Sequence, residues 1–401
     1  MGIILPTFET FMNTDTIQAI LKASFPAYER THNLPKHVRK AAQALMQCRT
    51  SALGGHVQSC PDEHYHRQWY NSCRHRACPQ CNRLRLNQWL DRQTDRLVQC
   101  GHYHMIFTPP HDLCDLWLHN VRKMTDILFT AVRDTLFEFF LDDRHFGGKP
   151  GIIATLHTWS QTLILHPHIH CLITEGGLFN GQWVCRTKQG YLLPVRAVMA
   201  VFRGKLLAYI DAAIEKAELR LPEGMTVQRW KNLKNKLGRT KWNVHIRERY
   251  EYGKGILIYL SRYIRGGAIS NKRILSTTDK GVTFRHRLPG TTKQGTMTLP
   301  THDFIKRYFL HVPEPHTKVI RSYGLYAPTA KEELSLCRMR FGQTEVKDRE
   351  EPDWQSYCET KGDEHPERCP ICGLRLIRTR DIPRLRDRMF PPWMEELSIA
   401  A

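Results

Sequence analysis

The chain has 401 residues, 41% of them apolar, which excludes general disorder and leaves room for two or three domains with at least one full-sized core. Lys and Arg outnumber Asp and Glu by 59 to 39, a net charge of +20 that points to a polyanionic partner such as nucleic acid. No apolar run approaches the length of about 18 residues that a membrane helix needs, the start MGIILPTFETFMNTDT lacks secretory features, and so a cytoplasmic protein whose 13 cysteines serve as metal ligands is expected.

In chain order, residues 1–59 read as a helical segment, with PKHVRKAAQALMQC carrying apolar residues at helical spacing behind a proline start. Residues 60–100 form a zinc-ribbon-like module that would bind DNA, Cys/His-rich from Cys60 to Cys81 and ending in a helix over 84–98 with its leucines and Trp89 on one side. Residues 101–325 read as one catalytic domain. HYHMIFTPP is a strand stopped by a double proline, and 112–145 is mostly helical. GIIATLHT and TLILHPHIHCLIT then form two strands paired across a turn at Trp159-Ser160-Gln161. A helix over 195–221, a strand at KWNVHIRE, a helix at KGILIYLSRYIRGG closed by a glycine pair, three short strands near 272–299 and a helix over 301–311 complete it. Residues 326–401 are a charged, proline-containing tail with a second Cys/His cluster. The mixture lacks βαβ regularity, so an α+β fold with flanking helices is predicted.

Two clusters carry metal-ligand spacing. CPDEHYHRQWYNSCRHRACPQC supplies Cys60, His64, His66, Cys73, Cys78 and Cys81, and two residues between Cys78 and Cys81 let both thiolates reach one tetrahedral zinc ion. CETKGDEHPERCPICG supplies Cys358, His365, Cys369 and Cys372, a full set of four donors in a tail too charged to bury much core. Structural zinc at one or two sites is expected from these clusters.

The stretch LILHPHIHCLITEGG sets His166, His168 and His170 at alternate positions, on one face of a strand. Burying three imidazoles is unfavourable unless each is satisfied. Two chemistries fit: a histidine-triad nucleotide hydrolase, in which a histidine attacks phosphorus, or a divalent ion held by His168 and His170 that polarises a phosphodiester. The second needs a further ligand, for which Gln161 lies across the proposed turn, and a nucleophile. IYLSRYIRGG offers Tyr259 and Tyr263, i and i+4 on a helix, beside Arg262 and Arg265 as phosphate clamps. Two tyrosines at that spacing next to Ile256, Leu260 and Ile264 are equally compatible with core packing.

The ordered series CRTSALGGHV, YNSCRHRACPQC, HYHMIFTPP, LHTWSQTLILHPHIHC, YLSRYIRGGAISNKRI and FIKRYFLHV, running from about residue 35 to 325, resembles the two-tyrosine HUH transposases of the insertion sequence 91 family. The resemblance implies an antiparallel-sheet nuclease core with His168-Ile169-His170 on a central strand and the strand of Phe107 and Thr108 beside it. It further implies Gln161 as third ligand and Tyr259 and Tyr263 as paired nucleophiles. Two positions depart from the family pattern. Glu63 and His64 stand near the place of a usual cysteine, and Ala77 replaces the histidine before CPQC, with His75 two positions earlier.

That resemblance implies a rolling-circle transposase. A tyrosine would cleave single-stranded, hairpin-forming DNA at the element's ends, and again in target DNA, with Mg2+ or Mn2+ as catalytic ion. The host replication machinery would extend the freed 3′ end. Lys254, Lys272 and Arg273 join Arg262 and Arg265 as expected DNA contacts. Alternatives are a plasmid replication initiator or relaxase, a non-catalytic zinc-dependent DNA-binding protein, and the histidine-triad hydrolase.

Overall fold

The computed structural model describes residues 16–185, 192–247, 249–264, 267–288, 290–346, 350–351, 353–361 and 367–385. Helices α1 (Ile17–Thr31) and α2 (Lys36–Gln47) lead into the hairpin β1 (Gly55–Ser59) and β2 (His66–Tyr70), then α3 (Arg83–Arg96). The middle of the chain runs through β3 (His102–Thr108), α4 (Cys114–His119), α5 (Val121–Leu141), β4 (Lys149–Trp159), β5 (Leu165–Phe179) and β6 (Gln182–Val184). It continues with α6 (Val195–Glu215), α7 (Val227–Arg239), β7 (Asn243–Ile246) and α8 (Lys254–Ile264). The last part comprises β8 (Ile274–Thr278), β9 (Gly281–Arg287), β10 (Gln294–Leu299), α9 (Thr301–Leu310), β11 (Ile320–Gly324), α10 (Lys331–Arg340), α11 (Trp354–Lys361) and β12 (Ile377–Ile382).

The fold is α+β with antiparallel sheets. In the central sheet the order is β11-β4-β5-β3-β7, with β6 added to β5. Alternation along these strands sorts two cores. Met105, Phe107, Ile169, Cys171 and Ile173 face α5 and α6, where Phe129, Val132, Phe140, Phe202 and Ile210 are fully or almost fully buried. Ile153 and Leu172 on the opposite face pack with Ile256, Leu257 and Leu260 of α8, and with Leu325 and Tyr326. Each such side chain contributes about 1.5–3 kcal/mol on burial. Gly324 closes the β11 edge at φ 59°, where a Cβ would lie 1.8 Å from the Pro150 carbonyl oxygen. No helix of the described residues is long and apolar enough to cross a membrane.

The strands and helices expected from 84 to 311 are present, but the helix expected over 195–221 ends at Glu215, α7 and β6 were not expected, and both ends of the chain also differ from expectation. Residues 55–59 form strand β1 rather than prolonging a helix, and β12 of the charged tail pairs along it, Gly55 opposite Ile382 and Ser59 opposite Ile377. The order β12-β1-β2 thus joins the first and last segments in one sheet. This pairing is invisible to local periodicity because it spans more than 300 residues.

Two histidines are built into the core as neutral groups. His102 Nδ1 bonds the Cys100 carbonyl at 2.9 Å and its Nε2 the Tyr326 hydroxyl at 2.8 Å. His311 Nε2 bonds the Leu163 carbonyl at 3.0 Å and its Nδ1 the Thr158 hydroxyl at 3.2 Å. Desolvation pushes both down to about 4. A lowered folded-state value means that the unfolded chain takes up protons first, so stability is full above about pH 6.5 and is lost as pH falls toward 4. Each can account for up to about 3 kcal/mol of that loss. Urea midpoints at pH 7.5 and 5 should therefore fall less in H311Q than in the parent chain, since protonation elsewhere is common to both.

Candidate functional site

The imidazoles converge because of sheet register. β5 places His166, His168 and His170 on the same side as Leu172, and β4 sets His157 directly opposite His168, with Thr155 opposite His170. His157, His168 and His170 bring one ring nitrogen each to within 4.8 Å of one another. Their ring centroids lie 4.1 Å (157–170), 4.8 Å (168–170) and 5.1 Å (157–168) apart. His157 is 1% exposed and His170 3%, so the group is almost sealed from solvent on the protein side.

Hydrogen bonds select the nitrogens. His168 Nδ1 lies 2.6 Å from the His166 carbonyl, which only accepts, so the proton sits on Nδ1 and Nε2 keeps its lone pair. His170 Nδ1 lies 2.8 Å from His104 Nε2 on β3. Use of His170 Nε2 as a ligand requires that Nδ1 carry the proton and donate it to His104. In that arrangement His104 would be a positioning residue, the usual second partner of a ligating imidazole. Desolvation holds His104 and His168 down to about 4, and pushes His157 and His170 further below the ordinary value. All four are neutral at pH 7, the form in which imidazole binds a metal.

Gln161 lies exposed in the turn before β5, and its backbone carbonyl accepts from Arg273 at 2.6 Å. The turn sits two to three residues later than the sequence suggested, with the Ser160 amide donating to the Ile164 carbonyl. That shift is what brings His157, absent from any His-x-His pattern, opposite His168. His166 stands beside the group, its ring 5.1 Å from that of His168. His104 was readable only as one residue lining a strand, and its role depends on β3 lying next to β5.

Helix α8 covers the face from which these imidazoles project, through Ile256, Leu257 and Leu260 against Ile153 and Leu172. Tyr259 and Tyr263 are positions of this helix, but their side chains, and that of Arg262, lie outside the described residues, as does Arg265 altogether. Of the other expected DNA contacts, Lys254 and Lys272 are exposed. Arg273 is half-buried over the Phe284 ring and also donates to the Arg285 carbonyl at 2.8 Å, so it clips the turn before β5 to β9.

The cysteines are partitioned differently from their order in sequence. Cys73, Cys78 and Cys81 meet Cys48, at the end of α2, a residue the spacing patterns did not single out. The Cys73–Cys81 and Cys48–Cys78 sulfur pairs are 3.6 Å apart, close to the edge of about 3.8 Å in a tetrahedron with zinc–sulfur bonds of about 2.3 Å. Backbone amides of Cys73 and His75 donate to Cys48 and Cys73 Sγ at 3.4 and 3.5 Å, further supporting thiolates. The four thiols share protons through their mutual hydrogen bonds, which hold Cys48 below and push Cys73 and Cys78 above the ordinary value. The donor set therefore fits structural zinc, without a histidine. His75 Nδ1 instead accepts from the Ala77 amide at 3.2 Å.

Cys60 and His64 lie with Cys369 and Cys372 of the tail, not with Cys78 and Cys81. Cys358 is buried in α11, outside both groups, and His365 lies outside the described residues.

The geometry generates a direct comparison of ligands. Titration with Mn2+ should show weaker binding in H157A than in Q161A, and H104A should lose about 10–100-fold in affinity through the misoriented His170. Equal losses in H157A and Q161A would place both side chains on the ion.

A family model described as a transposase zinc-binding domain matches residues 20–109, and one described as a putative transposase matches residues 151–333. A putative transposase, y4qJ, of Sinorhizobium fredii is 33% identical over 327 residues, 79% of this chain and 82% of its own length. The transposase for insertion sequence element IS801 of Pseudomonas savastanoi pv. phaseolicola is 29% identical over 367 residues, 85% of this chain and 83% of its own. No solved structure matches. On these likenesses, with the antiparallel sheet and the cysteine clusters, the chain belongs to the insertion sequence 91 family of transposases.

Proposed function

We propose that this transposase cuts and rejoins single-stranded DNA by rolling-circle chemistry, through a covalent 5′-phosphotyrosine. The observation that carries the reading is the packing of α8, the helix of Tyr259 and Tyr263, onto the sheet face where His157, His168 and His170 converge. The phenol oxygen of one tyrosine attacks phosphorus, the bond to the 3′ oxygen breaks, and that oxygen leaves as a 3′-hydroxyl after taking up a proton. The phosphodiester energy is kept in the tyrosine linkage, so a 3′-hydroxyl can later reverse the step and join a new strand. The second tyrosine allows a second cleavage before the first linkage is resolved. The released 3′-hydroxyl can meanwhile be extended by host replication.

The neutral imidazoles of His157, His168 and His170, with Gln161 as the further candidate, would hold Mg2+ or Mn2+. Such an ion supplies Lewis-acid polarisation of the scissile phosphate. A phenol with an ordinary value near 10 needs this or nearby cations to react at neutral pH. Arg262, Arg265, Lys254 and Lys272 would hold flanking phosphates, in keeping with the net charge of +20, while Arg273, also expected there, is engaged with the Gln161 and Arg285 carbonyls. A histidine-triad hydrolase is less favoured, because the trio that meets is 157, 168 and 170, drawn from two strands, rather than 166, 168 and 170.

The test is incubation with single-stranded DNA carrying element ends and Mn2+, followed by mapping of the protein–DNA adduct by mass spectrometry. The adduct should form on Tyr259 or Tyr263, vanish in the Y259F/Y263F double variant and fall steeply in H168A. An adduct that persists in the double variant overturns the nucleophile assignment. Absence of any adduct from the parent chain, with DNA binding intact, favours a binding-only protein. Binding should also weaken with salt, and K254A should lower the slope of log K against log salt by about 0.7 if Lys254 contacts one phosphate.

A further inference from the structure

We infer that Cys60, His64, Cys369 and Cys372 bind one zinc ion as a clasp that joins the two ends of the chain, as a site separate from the four-cysteine site of Cys48, Cys73, Cys78 and Cys81. The four donor atoms lie within 4.8 Å of one another. Cys60 Sγ is 3.4 Å from Cys372 Sγ and 4.0 Å from His64 Nδ1, near the edges of about 3.6–3.8 Å expected for a tetrahedral Cys3His zinc site.

The two halves are built alike. Each is a tight hairpin loop that opens with Cys-Pro, and in each the first cysteine's amide donates to a carbonyl five residues on: Cys60 to Tyr65 at 2.9 Å and Cys369 to Leu374 at 2.8 Å. In the tail loop the Ile371 amide also donates to Cys369 Sγ at 3.4 Å, and Gly373 turns the chain at φ 75° just after Cys372. In the first loop the left-handed residue is Glu63, at φ 58°, one place earlier. The second ligand accordingly comes one place later, at His64. The two loops meet because Ser59 and Ile377, which stand next to them in sequence, are opposite each other where β1 pairs with β12. They form a zinc ribbon whose two loops are separated by about three quarters of the chain.

The apolar chemistry of the region is too slight to hold it unaided. Its buried cluster is Cys60, Cys369 and Leu376, with Tyr65 packed against them, and five of the six residues of β12 are exposed. A three-stranded sheet with so small a core needs a metal or a covalent link. The clasp does not depend on the tyrosine chemistry, so it stands or falls separately from the proposed cleavage reaction.

The full-length chain, purified with a thiol reductant, should contain two zinc ions per chain by elemental analysis. C369S/C372S should hold one, and trypsin should release its arginine-rich tail about tenfold faster while the core stays protected. H64C should keep both ions. With cobalt in place of zinc, H64C should shift the visible bands of one of two tetrahedral sites, a readout that stands even if C369S/C372S does not fold. One zinc in the parent chain, two in C369S/C372S, cobalt bands unmoved by H64C, or a Cys60–Cys372 disulfide under these reducing conditions would each overturn the clasp.

Discussion

The ladder between β4 and β5 is the constraint on which the candidate site depends. Side chains alternate across a sheet, so a shift of one residue would send His168 and His170 into the apolar layer under α5 and α6. The observed register avoids this by matching apolar positions on both strands: Ala154 faces Cys171, Leu156 faces Ile169, and Ile152 faces Ile173. Burial of that layer is worth far more than any imidazole interaction. The histidines therefore stand together as a consequence of packing on the opposite face, and their hydrogen bonds need only refine ring orientation.

The same sheet explains why the histidines stay neutral and ordered. Desolvation opposes charging of His104, His157, His168 and His170 together, the His166 carbonyl leaves Nε2 of His168 as an acceptor, and a His170 Nδ1–H donated to His104 would do the same for His170. Neutral imidazoles held in place in this way would take up a cation with little reorganisation. α8 is held over it by three buried aliphatic residues, and α3 braces α8 through Trp89 and Leu90. Because α3 begins directly after Cys81, the four-cysteine group anchors a helix that bears on the tyrosine helix. Asn82 reinforces this joint, donating to the His75 and Cys78 carbonyls at 2.6 and 3.0 Å. The loop after α8 adds a second contact: Gly267 leaves no room for a side chain beside the Ala77 carbonyl, which also accepts from Tyr308 at 2.8 Å. The four-cysteine group and the placement of α8 are thus mechanically linked.

By itself, the sequence determined the local chemistry. The +20 charge, the Cys-Pro-x-Cys loops, His168-Ile169-His170 and the i, i+4 tyrosines are all patterns within one turn or one strand, where covalent geometry fixes what can meet. Most of the helices and strands from 84 to 311 were legible for the same reason, whereas α7 (Val227–Arg239) and the three-residue β6 were not. Only the tertiary structure decided partners across long distances. Cys48 joins Cys73, Cys78 and Cys81, Cys60 and His64 join Cys369 and Cys372, and His157 joins His168 and His170. Two-residue spacing tells which donors can share an ion but not which pairs will be brought together, since that follows from strand register and from the apolar surface buried on the far side of each sheet.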